Sequence, residues 1–228
     1  VLIPELADCI GFVQYNPHHT MDVWQHTLHV LDNIEPEEPM RLAALLHDIA
    51  KPEVFYFDKN LIGHFPGHAV AGAAMAETIL KRLRYDTATV REVTELVRGH
   101  MLLLPASERA ARRLLAQAGP EKTRRLLRLH RADRMGKGTE EKAALEAQVR
   151  AAEALVEAVL QKESCFSLRQ LTLSGGDLIA QGIPQGPEIG EILNDLLQRV
   201  IAGELSNEKT TLLEEAVAFA QRNACKKK

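Results

Sequence analysis

Leu45-Leu46-His47-Asp48-Ile49-Ala50-Lys51-Pro52 decides how the rest of the chain is read. The apolar run from Leu42 to Leu46 carries an adjacent His-Asp pair toward the interior. Two side chains that prefer charge or hydrogen bonds are seldom buried together unless something neutralises them, and a metal ion does this well. Neighbouring residues on a helix point about 100° apart, so the pair cannot grip one ion as an i,i+4 pair would. His47 can hold an ion that the Asp48 carboxylate also reaches, or from which it bridges to a second. Lys51 follows on the same helical face and places a cation beside the ion, suited to a phosphate oxygen. Pro52 disfavours helical geometry at the residue before it, so Lys51 is expected to end a helix over 40–50.

Working outward, His26, His68, His100 and Asp133 each fall in a different expected helix or at its end. A bundle can bring such residues to one point. A lone His on an apolar helix is more often a satisfied core residue, and His29 keeps that reading; His64 reads as a loop residue, with the wall of a substrate cleft as its alternative, and His130 lies one turn before Asp133 on the same helix face. The alternative for His100 is a helix-terminal His meeting free carbonyls. Asp133, within Arg131-Ala132-Asp133-Arg134, has a salt-bridged surface acid as its bland alternative.

The order His…His-Asp…His…His…Asp resembles the HD superfamily of metal-dependent phosphohydrolases. The resemblance implies that His26, His47, Asp48 and Asp133 hold one divalent ion. His68 and His100, with Asp48 bridging, would hold a second. Asp48 and Lys51 are then the catalytic residues. Ala50 departs from the glycine usual in the family, a change of one methyl. Four imidazoles and two carboxylates suit Mn, Fe, Ni, Co or Zn better than Mg, which stays possible, as one or two ions.

With 228 residues, 46% of them hydrophobic and only 4% aromatic, the chain can bury a full core. Long stretches of period 3.6 predict an all-α protein, with helices over 20–33, 68–84, 87–101, 107–117, 120–136 and 139–162. Val54-Phe55-Tyr56-Phe57 and Leu61-Ile62, around Asp58-Lys59-Asn60, predict a small β-hairpin insertion. Composition shifts at Ser164, which divides the chain into 1–163 and a helical tail, 164–228. In the tail, Pro187 suits the first position of a helix, and Ser206 or Asn207 the cap of the last one. Its glycines lack GxGxxG or P-loop spacing and read as tight turns.

The formal charge is −3, yet between Arg109 and Lys137 ten Lys/Arg face only two acids, Glu121 and Asp133. Such a stretch points to contact with a polyanion. Arg131 and Lys137 are candidate substrate contacts, as are His18 and His19 in Asn16-Pro17-His18-His19-Thr20. Cys9, Cys165 and Cys225 show no CxxC spacing, which favours a reducing cytoplasm. No apolar run is long enough for a bilayer span. The first residue is Val, as expected of a fragment.

Gly175-Gly176-Asp177-Leu178-Ile179, Gly182-Ile183-Pro184-x-Gly186-Pro187-x-Ile189-Gly190 and Gly203-Glu204-Leu205-x-Asn207 resemble the tail of bacterial tRNA nucleotidyltransferases. Asn16-Pro17-His18-His19, Val23-Trp24-x-His26-Thr27 and His64-Phe65-x-Gly67-His68 resemble the HD domain those proteins carry. The nucleotidyl-transfer head of that family uses an Asp-x-Asp pair, and this chain contains none. The resemblance therefore implies the C-terminal half of such an enzyme. It implies hydrolysis of phosphomonoesters or 2′,3′-cyclic phosphates of nucleotides or RNA 3′ ends, with tRNA as partner. The alternative is a non-catalytic module that holds tRNA through its basic helices; an HD-type di-iron oxygenase is a third reading. Oligomeric state is not legible.

Overall fold

In the computed structural model, residues 2–16, 20–135, 142–162 and 165–226 are described, with side chains up to 221. The expected substrate contacts His18, His19 and Lys137 lie outside these residues. A 3-10 helix, Pro4–Cys9, leads into α1 (Val23–Asp32), α2 (Glu38–Leu46), α3 (Lys51–Val54), β1 (Tyr56–Phe57) and β2 (Gly63–His64). Then come α4 (His68–Arg82), α5 (Thr87–Gly99), α6 (Glu108–Ala118), α7 (Pro120–Met135) and α8 (Lys142–Lys162). α9 (Gly175–Ala180), α10 (Pro187–Ala202) and α11 (Lys209–Lys226) complete the chain. The fold is all-α with one small antiparallel hairpin. Two compact units divide it: Val1–Leu104 with Glu121–Glu153, and Pro105–Pro120 with Ala154–Lys228.

In the first unit, Val23, Val30, Met40, Leu46, Ile79, Leu80, Val93, Leu96 and Leu129 form the core. α1 starts at Asp22, whose carboxylate accepts from the backbone N–H of Gln25, two residues into the stretch expected to be helical from residue 20. α2 stops four residues before the expected end at residue 50. Beyond Leu46 the chain tightens: the N–H of Ile49 donates to Leu46 O and that of Lys51 to Asp48 O, both i→i−3. Lys51 opens a helical turn instead of closing one, because Pro52, with no N–H to lose, fits an opening turn. The tight turn buries both His47 and Asp48.

The hairpin also differs from its expected register. Tyr56 pairs with His64 and Phe57 with Gly63, so the second strand is 63–64, not 61–62. Asp58 explains the shift: its Oδ1 accepts from the N–H groups of Asn60 and Ile62, which spends Leu61 (φ +60°) on the turn. Gly63 then meets the segment before α1, its N–H donating to Tyr15 O at 2.8 Å. Elsewhere a glycine allows close helix approach: a Cβ on Gly99 of α5 would lie 2.9 Å from Leu126 of α7.

In the second unit, Leu173, Leu178, Ile192, Leu196, Val200, Leu212 and Ala216 are buried together. Its glycine-punctuated motifs do structural work. Ser174 and Asp177 form a reciprocal capping box on α9, and Gly203 ends α10 in the left-handed conformation. Asn207, expected as a cap, lies two residues before α11. Its side chain accepts from the Thr172 N–H and donates to Gln170 O, clamping one loop to another.

Gly63 ties the hairpin to the chain before α1, and a Cβ there would run into Gln14 O and the Phe55 ring. Gly63→Ala is expected to lower stability by about 1–3 kcal/mol, the usual cost of overpacking. Urea unfolding of the two proteins measures it, and an unchanged midpoint would show that the hairpin is not pinned there.

Candidate metal centre

Six of the residues singled out in the sequence meet in the first unit. His26 comes from α1, His47 and Asp48 from the turn after α2, and His68 from the first position of α4. His100 follows the last residue of α5, and Asp133 lies on α7. All six are buried, His47 completely. Asp48 stands at the centre and divides its two oxygens between two imidazole pairs. Oδ2 lies 3.5 Å from His26 Nε2 and 3.1 Å from His47 Nε2. Oδ1 lies 3.5 Å from His68 Nε2 and 3.8 Å from His100 Nε2. Asp133 Oδ1 joins the first pair, 3.0 Å from His26 Nε2 and 3.9 Å from His47 Nε2.

The backbone fixes the tautomers. Nδ1 of His47 lies 2.8 Å from Ala44 O, Nδ1 of His68 2.8 Å from Phe65 O, and Nδ1 of His100 2.6 Å from Val97 O. A carbonyl only accepts, so each Nδ1 carries the hydrogen, and each neutral ring presents a bare Nε2 to the cluster. Those nitrogens approach one another closely: 3.3 Å for His26 and His47, 3.2 Å for His68 and His100. Nitrogen ligands about 2.1 Å from one ion stand roughly 3 Å apart. His26, His47 and Asp48 form one group able to hold a metal ion, and Asp48, His68 and His100 a second.

The titration behaviour follows from this packing. Burial opposes a charge on Asp48, but the His47 imidazole and the Lys51 ammonium outweigh it and hold the carboxyl well below its usual range. Burial likewise opposes a proton on His47, yet the Asp48 charge and hydrogen bond raise its pKa. His68 is pushed down by burial. His100 is pushed down to about 4, first by burial and then by the His47 charge, so its Nε2 lone pair is free at neutral pH.

Lys51, nearly buried, places Nζ 2.7 Å from Asp48 Oδ2 and donates to Gln14 Oε1 at 2.8 Å. Gln14, a buried side chain that no pattern in the sequence singles out, also donates to Met21 O. A cavity of about 190 Å³ opens onto the cluster, lined by Asp48, Lys51, His64, His68, His100 and Asp133 among others. Arg131 is not in its wall; it pairs with Glu146 of α8 at 3.0 Å. His130, one turn before Asp133 on α7, is buried beside the site with Nδ1 3.4 Å from His100 O, and its Nε2 accepts from Arg134.

The basic stretch carries partners remote in sequence. Lys122 pairs with Glu95, Arg125 with Glu92 and Glu37, and Arg128 with Glu35 and Glu37. Within the second unit Arg109 meets Glu204. The excess of positive charge read from the sequence is thus largely offset along α7.

Comparison with known proteins gives the chain its relatives. Residues 68–216 match the family model of tRNA nucleotidyltransferase domain 2. The chain belongs to the tRNA nucleotidyltransferase family. Across 96% of its length it is 35% identical to the CC-adding tRNA nucleotidyltransferase of Thermus thermophilus and covers 49% of that protein. It is 33% identical, again over 96% of its length, to the A-adding tRNA nucleotidyltransferase of Deinococcus radiodurans, covering 50% of it. Over 47% of its length it is 28% identical to a bifunctional uridylyltransferase/uridylyl-removing enzyme of Methylococcus capsulatus, of which it covers 14%. The chain spans about half the length of the two tRNA nucleotidyltransferases. Among the described residues of this family member, no helix is long and apolar enough to cross a membrane.

Cys9 gives a test of how well the turn beneath the cluster is sealed. Its Sγ donates to Ile49 O at 3.8 Å. Burial first, and then the Asp48 charge, push its thiol from 9.0 up to about 12. That rise removes about three powers of ten of thiolate at pH 8, so iodoacetamide should label Cys9 about a thousandfold more slowly in the folded protein than in urea. Equal rates, followed by peptide mass spectrometry, would show the turn to be open.

Proposed function

We propose that this chain is an HD-type metal-dependent phosphohydrolase of the cytoplasm. Its substrates are phosphomonoesters or 2′,3′-cyclic phosphodiesters of nucleotides or RNA 3′ ends, tRNA among them. The observation that carries the reading is the Asp48 carboxylate between two imidazole pairs whose Nδ1 atoms are tied to the backbone. The donor set suits a divalent transition metal, Mn, Ni, Co, Fe or Zn, better than the all-oxygen shells of Mg. His26, His47, Asp48 and Asp133 would hold one ion, and Asp48, His68 and His100 a second. Such an ion, when bound, polarises a phosphoryl oxygen and acidifies water.

The chain's own residues do the rest. The backbone carbonyls of Ala44, Phe65 and Val97 keep three rings in the ligating tautomer and orientation. Gln14 and Asp48 hold the Lys51 ammonium at the cavity wall, where it neutralises charge on the phosphoryl group. The relatives' names support a tRNA partner, and removal of a uridylyl group, for which the Methylococcus relative is named, breaks a bond to phosphorus. Residues 1–163 are our functional HD part and 164–228 the tail, a division that follows composition rather than compactness. The ion pairs along α7 leave the tRNA-holding alternative with less free positive charge than the sequence promised.

Metal-stripped protein should hydrolyse 2′,3′-cyclic AMP when resupplied with Mn, Ni or Co, and Asp48→Ala should lose both bound metal and turnover. Undiminished metal content in that variant, measured by mass spectrometry, would remove the assignment. Lys51→Met is expected to lower kcat about 10²–10³-fold, the usual loss when one donor to developing charge is removed. A change of less than threefold would place Lys51 outside the chemistry.

A further inference from the structure

The hairpin carries an imidazole that the metal-centre reading leaves unused. His64 of β2 lines the same cavity as Asp48, Lys51, His68, His100 and Asp133. Its Nε2 lies 3.1 Å from Asp58 Oδ2, while Asp58 Oδ1 accepts from the N–H groups of Asn60 and Ile62. The ring stacks on Tyr56, 5.4 Å between centroids at 25°. Carboxylate and stack thus fix the ring from two directions, and the Nδ1 nitrogen has no protein partner among the described residues. The arrangement is the reverse of that in the cluster, where Nδ1 is tied to a carbonyl and Nε2 points inward. The side chain is 42% exposed, so it can exchange protons with water. Of the remaining wall residues, Asn16, Phe65 and Met101 offer no acid, and the Lys51 ammonium is held between Asp48 and Gln14.

We propose that His64, oriented by Asp58, is a catalytic residue of this site and donates the proton that the departing ribose oxygen takes up. The inference rests on the phosphohydrolase reading. Water oxygen bonds to phosphorus as the P–O bond to the ribose breaks. The electron pair of that bond stays on the ribose oxygen, which receives the Nδ1 proton of the His64 imidazolium, while the Nε2 hydrogen stays on the bond to Asp58. The attacking water gives one proton to solvent, and solvent returns one to His64. An aryl ester whose phenolate leaves without a proton needs no such donor.

The test compares 2′,3′-cyclic AMP with bis(p-nitrophenyl) phosphate, using the full chain loaded with Mn. His64→Gln should lose about 10²-fold or more in kcat on cyclic AMP, within the range of general acid catalysis. It should keep the aryl diester within about threefold and retain its metal. Asp58→Asn, as second variant, should show the same selectivity with a smaller loss, and added imidazole should restore cyclic AMP turnover to His64→Gly. Equal losses on both substrates, as a purely structural hairpin staple would give, or unchanged cyclic AMP turnover, overturns the role of His64 alone. A wild-type protein inert toward both substrates overturns the phosphohydrolase reading with it.

Discussion

Taking a carboxylate out of water costs several kcal/mol, and Asp48 is withdrawn almost completely. The Lys51 ammonium at 2.7 Å answers that cost directly, and four ring nitrogens lie no farther than 3.8 Å from one or other oxygen, where a shared cation would satisfy them together. His and Asp side chains are short, so donors from five helices or their ends converge only if the backbones come close. A small residue contributes to this. Gly99 lets Leu126 of α7 lie against α5, next to His100. The tight turn after Leu46 completes the arrangement by directing two consecutive polar side chains into one interior.

Much of this was legible because it repeats. Helical periodicity located the long helices, and the order of His26, His47-Asp48, His68, His100 and Asp133, through its resemblance to the HD pattern, named the residues that now stand together. The details set by non-local packing were not legible. Residues 47–50 have nothing in their own propensities that forbids another helical turn; the i→i−3 tightening comes with the burial of both side chains. The hairpin register depends on Asp58 capturing two amides and on Gly63 meeting Tyr15, neither of which shows in a pattern of apolar residues. Gln14 is an ordinary polar residue until the fold sets it against Lys51.

Charge shows the same limit from another side. Counting Lys and Arg between 109 and 137 describes a basic segment, but a field depends on neighbours in space. Glu35 and Glu37, from the segment before α2, meet Arg128 and Arg125. Exposed pairs of this kind add little stability each. Their consequence is electrostatic: α7 presents far less net positive charge than its composition.

A buried cluster of imidazoles and carboxylates need not hold a metal, since a shared proton also relieves facing lone pairs. The two halves differ on this point. His47 lies 3.1 Å from Asp48 and its proton affinity is raised, so the first pair could be satisfied by a proton hydrogen-bonded to a carboxylate. His68 and His100 have no such recourse. Their Nδ1 hydrogens are committed to carbonyls, their Nε2 atoms stand 3.2 Å apart, and burial drives both toward the neutral form. Two bare lone pairs and the Asp48 Oδ1 then face one another with no donor among them. Buried acceptors of that kind are costly unless a cation joins them, and Asp48, His68 and His100 form a group that could hold a metal ion.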